Sequence, residues 1–222
     1  MNIFEAIKER HSVRQYKADQ IETDKAEKLH ALIDECNKES GLNIQLILND
    51  PECFDTFLAH YGKFKNANNY LALVGNTALA DLDELAGYYG QKIVLEAQKL
   101  GLNTCWVAGT YGKGKCKADL LKGEKIVCVI AIGYGENSGA VHKSKPMDKL
   151  CDVKKEDMPA WFKNGVVAAL MAPTALNQQK FHITLDGENA VITSKIGPMT
   201  KIDLGIVRYN FEAASGHKCV RK

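Results

Sequence analysis

Apolar positions along this chain switch repeatedly between helical and extended spacing. Asn2 and Glu5 read as an N-cap and its capping-box partner, opening a short helix that buries Ile3, Phe4 and Ile7 and ends near Arg10. Thr23 caps a second helix with Ala26, Leu29, Ile33 and Cys36 at core spacing, and Gly41 closes that region. IQLIL (44–48) predicts a strand. Asp50-Pro51 places a cap beside an N1 proline and predicts a helix that buries Phe54, Phe57 and Leu58. YLALV (70–74) predicts a strand, and residues 82–100 predict a long helix stopped by Gly101 in the position of a left-handed cap.

TCWV (104–107) is a short extended piece, and KIVCVIAI (125–132) is apolar on both faces, as a central strand requires. Asp157 and Pro159 open a helix with Phe162, Val166, Ala169 and Leu170 on its apolar face. That helix runs into a polar loop, MAPTALNQQKF, dense in amides and hydroxyls. FHITL and AVITS flank Asp186-Gly187-Glu188-Asn189 as a hairpin. A last helix runs from about Thr200 to Ser215 and stops at Gly216. One α+β domain spanning 1–222 fits this order. Helix–turn–strand recurs at 26–48 and 160–185, and the spacing of Gly90 and Gly101 recurs at Gly205 and Gly216. This predicts two intertwined repeats, about 1–150 and 151–222, around one shared core; period alone is weak evidence.

Composition narrows the function. The 222 residues are 45% hydrophobic and 25% charged with a net charge of +2, an ordinary globular balance that argues against a nucleic-acid protein. The tail HKCVRK reads as a solvated, frayed terminus. No apolar run approaches a membrane span and the N-terminus has no signal-peptide core, so a cytoplasmic protein is expected. Seven cysteines without C-x-x-C spacing read as reduced, mostly packed thiols, and six scattered histidines argue against a metal.

Two glycine-rich stretches imitate nucleotide motifs. GTYGKGKC (109–116) has Gly109, Gly114 and Lys115 in phosphate-loop positions, but Cys116 stands where a magnesium-binding hydroxyl belongs. ADLLKG behind it offers barely one helical turn to aim at a phosphate. GYGENSG (133–139) follows a strand, but its glycines are misplaced and Pro146 spoils a crossover helix.

RHSVRQY (10–16) carries two guanidiniums four residues apart, with a hydroxyl and an imidazole between them. Such a set suits a phosphate ester. Taken alone, a solvated helix end is the plainer reading. The segment has companions, however. RHSVRQY resembles the R-[RH]-S-x-R-x-[YF] opening of the FMN-dependent nitroreductases. GYYGQKIVLEAQKLGLNTCWVAG (87–109) resembles that family's helix before its flavin-facing loop. VIAIGYG followed by HKSK resembles its late strand and basic segment. MAPTALNQQKFHI resembles its A-P-S-x-x-N-x-Q-P-W-x-F element, with Lys180-Phe181 in place of Pro-Trp. In the family that element comes early and reaches the flavin from the partner of a homodimer. Here it comes last, so the resemblance is to a divergent, internally duplicated single-chain branch. It implies a central mixed or antiparallel sheet flanked by helices, and a monomer that mimics the homodimer and builds one flavin site.

The resemblance also implies roles. Arg10 and Ser12 would hold the FMN phosphate and ribityl chain with His11 beside them, and Arg14 would lie near the pyrimidine edge. Lys143 and Lys145 match the basic pair on the phosphate, with a solvated loop as the alternative. Ala108, Gly109 and Thr110 present backbone near flavin N5, and Ala108 stands where some members have glutamate. Pro173, Thr174 and Ala175, with Leu176 in the same loop, would lie against the ring. Asn177 would offer its amide to the ring's polar edge, and Gln179 would support the loop or face the pocket. The alternative is a helix–strand loop that satisfies its own backbone. Trp106 and Tyr111 border the substrate pocket or belong to the core. No catalytic side chain is implied. NAD(P)H would reduce the flavin, which would reduce a nitroaromatic, quinone or similar acceptor. The alternative function is a non-enzymatic FMN-binding or ligand-sensing protein on the same fold.

Overall fold

The computed structural model describes residues 1–220. The chain forms two compact units: Met1–Glu9, Asp83–Lys92 and His142–Lys222 make the first, and Arg10–Leu82 with Ile93–Val141 the second.

The second unit is built on an antiparallel sheet in the order β1-β2-β4-β3, from β1 (Gln45–Ile47), β2 (Tyr70–Asn76), β3 (Asn103–Val107) and β4 (Glu124–Gly133). β4 is central, as its two-sided apolar pattern requires. On one face Tyr70, Ala72, Val74, Cys105, Val107, Val129 and Ala131 meet Val13, Tyr16, Phe54 and Phe64 in one cluster. The alternate residues Leu71, Leu73, Ile130 and Ile132 are also buried, following the two-residue period of a strand. Helix α2 (Thr23–Ser40) buries Ala26, Leu29, Ile33 and Cys36 and ends at left-handed Gly41.

The expected helix after Pro51 is broken. Phe54 and Asp55 close a turn on the Pro51 carbonyl, and α3 (Phe57–Tyr61) starts afresh from Thr56, whose hydroxyl accepts the Ala59 N–H. Phe54 is buried, but Phe57 and Leu58 are 83% and 52% exposed. The Asp50 carboxylate accepts the Glu52 N–H at 3.3 Å and is also bound by the Tyr70 hydroxyl at 2.6 Å and the Lys117 ammonium at 3.1 Å.

The first unit holds α1 (Ile3–Glu9), α5 (Ala160–Leu170) and α6 (Thr200–Ser215), with a second sheet in the order β5-β6-β7. The capping box forms: Asn2 N–H donates to Glu5 at 2.8 Å and Glu5 N–H to Asn2 at 2.9 Å. Burial on α1 falls on Ala6 and Ile7, while Ile3 and Phe4 are half-buried. β5 (Phe181–Asp186) and β6 (Asn189–Ser194) form the expected hairpin. The tail is not frayed through Val220: β7 (Cys219–Val220) pairs parallel to β6, and the Glu212 carboxylate accepts the Cys219 N–H at 3.1 Å. Arg221 and Lys222 lie outside the described residues. Phe162 and Phe211 pack with ring centroids 5.7 Å apart.

Helix α4 (Leu82–Lys99) contributes to both units. Within the first unit its opening turns touch α6 with no room for side chains. A Cβ on Gly87 would lie 2.1 Å from the Ile202 carbonyl oxygen, and one on Gly205 would lie 2.0 Å from that of Glu84. No helix among the described residues is long and apolar enough to cross a membrane, and no group of three or more metal-ligating side chains occurs among them.

Candidate flavin-site elements

The arginine segment leaves α1 in extended form and is pinned from several sides. Ser12 bridges to Thr104 in a parallel register, and Val13 N–H donates to the Thr104 carbonyl at 3.1 Å. Lys65 N–H donates to the Arg14 carbonyl and Tyr16 N–H to that of Lys65, both at 3.0 Å. The loop after β4 closes over the segment at Gly139, which has φ +72° and whose missing Cβ would sit 2.7 Å from the Ser12 carbonyl oxygen. His11 Nδ1 lies 3.1 Å from the Ser138 carbonyl oxygen. Both residues belong to GYGENSG, set aside in sequence as a misspaced dinucleotide motif; a glycine-rich stretch after a strand gives no sign of what it will cover.

Arg10 is the unusual member. It is 3% exposed, has no ion pair or side-chain hydrogen bond among the described residues, and its Nη1 is a buried donor without an acceptor. Burial lowers its pKa to about 10, only partly opposed by Cys105. A buried guanidinium without an anion is costly, because desolvation is not offset by a partner. Arg14, four residues on, is exposed. Ala108 and Gly109 follow the end of β3; a Cβ on Gly109 would meet no protein atom, so packing within the chain does not demand glycine there. Trp106 is half-buried, and Tyr111 is buried with its hydroxyl unpartnered.

In the first unit, the loop after α5 is tied to the basic segment. Gln179, 3% exposed, accepts the Lys145 N–H at 2.7 Å and donates to the Lys143 carbonyl at 2.8 Å and to Asn177 Oδ1 at 2.9 Å. Asn177 adds a bond to the Lys143 carbonyl at 3.0 Å. Lys145 Nζ returns to the Gln178 carbonyl at 2.6 Å. Gln179 therefore supports the loop, and the Asn177 amide is engaged within the chain. Thr174 Oγ1 accepts the Gln179 N–H at 3.1 Å. Asp203 on α6 accepts from Ala175 N–H and from the Gln178 amide, both at 2.8 Å. Its burial raises its pKa to about 6, against those two hydrogen bonds. An acid in the first turn of a helix is ordinary, so Asp203 carried no sequence signal of this role.

This scaffold forces strain. Leu176, Asn177 and Gln179 have φ of 52°, 50° and 45°. Such left-handed non-glycine residues cost of order 1 kcal/mol or more each and persist only where surrounding bonds over-determine them. Leu176 points into solvent at 92% exposure, while Pro173, Thr174 and Ala175 are half-buried. Thus Lys143, Lys145 and residues 173–179 are brought together in one unit, while Arg10, His11, Ser12, Arg14, Ala108 and Gly109 lie in the other.

Comparison with known proteins agrees with these features. The family model described as "Putative TM nitroreductase" matches residues 2–215, and the chain belongs to that nitroreductase family. A solved "putative nitroreductase" from Thermotoga maritima has the same fold, with TM-score 0.71 at 23% identity over 96% of this chain and 83% of that one. A "Putative NADH dehydrogenase/NAD(P)H nitroreductase" from Bacteroides thetaiotaomicron gives TM-score 0.53 at 20% identity, over 67% of this chain and 95% of its own. No curated protein sequence matches the chain.

Proposed function

We propose that this chain is an FMN-dependent oxidoreductase that takes electrons from NAD(P)H and delivers them to a nitroaromatic, quinone or similar small acceptor. The observation that carries this reading is Arg10, a buried guanidinium whose Nη1 has no protein acceptor. A phosphate monoester fits it in charge and in hydrogen-bonding capacity. When bound, FMN supplies the two-electron chemistry that side chains lack.

The chain's own contribution is binding, orientation and charge. Arg10 and Ser12, with His11 beside them, hold the phosphate end on a segment fixed by the backbone bonds at Thr104 and Lys65. Arg14 would set positive charge near the bound ring. Ala108 and Gly109 offer backbone without bulk. Residues 173–177 would meet the ring's edge, Gln179 holds that loop to the segment carrying Lys143 and Lys145, and Leu176 marks its exposed tip.

We further infer that the chain folds as a duplicated pseudo-dimer, one nitroreductase domain over 1–222 with repeats of about 1–150 and 151–222 around a shared core. The contacts of Gly87 with Ile202 and of Gly205 with Glu84 support this. A shift of 118 positions turns one contact into the other, which is the reciprocity of a two-fold interface. The same shift superposes the ends of β2 and β6 at Asn76 and Ser194, and the left-handed residues Asp81 and Met199 before α4 and α6. Under this shift Gly87 corresponds to Gly205, where the glycine spacing in the sequence sets Gly90 against it.

The test is the visible absorption of the purified protein, followed by release and counting of flavin. About one FMN per chain, with NADH or NADPH oxidation driven by a nitro or quinone acceptor, is expected. Bound FMN that turns over no faster than free flavin would mean a binding module. A colourless protein that takes up no added FMN overturns the reading.

A further inference from the structure

The second unit carries a cluster that the flavin reading does not use. Gly112 N–H donates to the Cys53 carbonyl at 2.8 Å, and Cys116 N–H to the Gly112 carbonyl at 3.1 Å, so the turn at 112–116 folds back onto Cys53. There Cys116 packs against the buried cluster that holds Cys53. Their exposures differ: Cys53 is fully buried, whereas Cys116 is the one cysteine of seven that is not buried. Around them the Tyr70 hydroxyl donates to buried Asp50 at 2.6 Å and accepts the Lys117 N–H at 2.9 Å. Lys117 Nζ lies 3.1 Å from Asp50 and 3.7 Å from Glu52.

We propose that Cys116 and Cys53 form a peroxide-reactive dithiol, with Cys116 as the attacking thiolate and Cys53 as the resolving thiol buried behind it. Three features support this assignment. The turn is bonded onto the Cys53 carbonyl and Cys116 packs against the cluster that holds Cys53, the proximity a disulfide requires. Only Cys116 is open to a solvent-borne oxidant, since Cys36, Cys105, Cys128, Cys151 and Cys219 are all buried. The surroundings also separate the two protons. The Cys53 thiol and, against burial and the Asp50 carboxylate, the Ala118 N–H draw the Cys116 pKa down, while the same pairing and burial push Cys53 up. A thiolate beside a protonated partner is the reactive form of such a pair.

The chemistry balances with hydrogen peroxide as oxidant. The Cys116 thiolate attacks one peroxide oxygen; an S–O bond forms, the O–O bond breaks and hydroxide leaves. The sulfur gives up two electrons and becomes a sulfenic acid. The Cys53 sulfur then attacks that sulfur, the S–O bond breaks, and the hydroxyl leaves with the Cys53 proton as water. Two thiols and one peroxide give one disulfide and two waters. This site stands apart from the flavin reading and survives or fails without it.

The test is peptide mapping of the full chain after one equivalent of hydrogen peroxide and thiol blocking. The expected result is loss of two free thiols and one cross-linked peptide joining Cys53 to Cys116, reversed by dithiothreitol. In Cys53→Ser the reaction stops at a Cys116 sulfenic acid that dimedone traps. Should that variant fail to fold, wild-type labelling decides: at neutral pH iodoacetamide modifies Cys116 at least about tenfold faster than the other six cysteines. Peroxide that leaves both thiols free, a cross-link between other cysteines, or Cys116 labelled no faster than the rest overturns the proposal.

Discussion

The Gln179 side chain accepts the Lys145 backbone N–H at 2.7 Å, from a position only 3% exposed. Its amide nitrogen holds the Lys143 carbonyl in the same grip. The late polar loop and the basic segment before it are therefore tied together at two points.

Gln179→Ala removes the acceptor of the Lys145 N–H and one of two donors to the Lys143 carbonyl, both on exposed residues. Each lost bond costs about 0.5–1.5 kcal/mol. Thermal unfolding of the flavin-free protein should fall by about 2–4 °C for each kcal/mol lost at this chain length. Gln179→Glu keeps the acceptor for Lys145 but sets a carboxylate oxygen against the Lys143 carbonyl and Asn177 Oδ1, so it should lose at least as much at neutral pH. An unchanged midpoint for the alanine variant would show that the grip contributes nothing to the fold.

Arg10→Met separates binding from folding. The guanidinium is buried without an anion, so replacing it with an apolar chain of similar length should leave flavin-free stability unchanged or raised. FMN affinity should fall about 10–100-fold, the equivalent of one charge-assisted hydrogen bond. Urea unfolding and flavin fluorescence titration read the two effects separately. Wild-type affinity in Arg10→Met would remove the observation on which the flavin reading rests.

Asp203 gives a pH dependence of defined sign. Its folded pKa, raised to about 6 by burial, lies above its ordinary value of 3.8. The folded state thus binds the proton more tightly, and this residue's contribution to stability is greatest at about pH 4 and is lost as pH rises to about 6. The loss is of order 1–3 kcal/mol. Carboxylates with lowered pKa, such as Asp152, act in the opposite direction, so the measurement is the difference between wild type and Asp203→Asn in urea unfolding from pH 4 to pH 7. The gap should shift in favour of the asparagine variant as pH rises, and a constant gap would refute the assignment.

Gly205→Ala should be among the most damaging small substitutions in the chain. The new Cβ would lie 2.0 Å from the Glu84 carbonyl oxygen and 2.6 Å from the Tyr88 nitrogen, both backbone atoms that cannot swing away. A loss of about 3 kcal/mol or more is expected. Gly109→Ala is the contrast: its Cβ has open space, so stability should hold. Under the flavin reading, FMN affinity or turnover should fall in that variant. Circular dichroism melts of both variants test the pair.

Local periodicity determined much of this fold. The buried stripe of α2, the central place of β4, the hairpin of β5 and β6, and the ends of α6 all follow from residue spacing and from terminating glycines. Those signals act over a few residues, where backbone geometry alone decides which side chains share a face. The order of motifs likewise carried the nitroreductase family, with the displaced loop as its distinguishing mark. The tertiary structure decided whatever depended on a distant partner. The Asp50 carboxylate reaches the Glu52 N–H but also binds distant Tyr70 and Lys117, and the helix restarts at Thr56 with Phe57 and Leu58 exposed. Asp203 and Gln179 became supports of one strained loop because long-range hydrogen bonds chose them, and Gly87 met Gly205 because two helices cross there. Sequence spacing could place Arg10 beside a hydroxyl and an imidazole. Only the folded chain could bury it without an ion-pair partner among the described residues, because desolvation depends on the whole surroundings of a group and not on its neighbours in sequence.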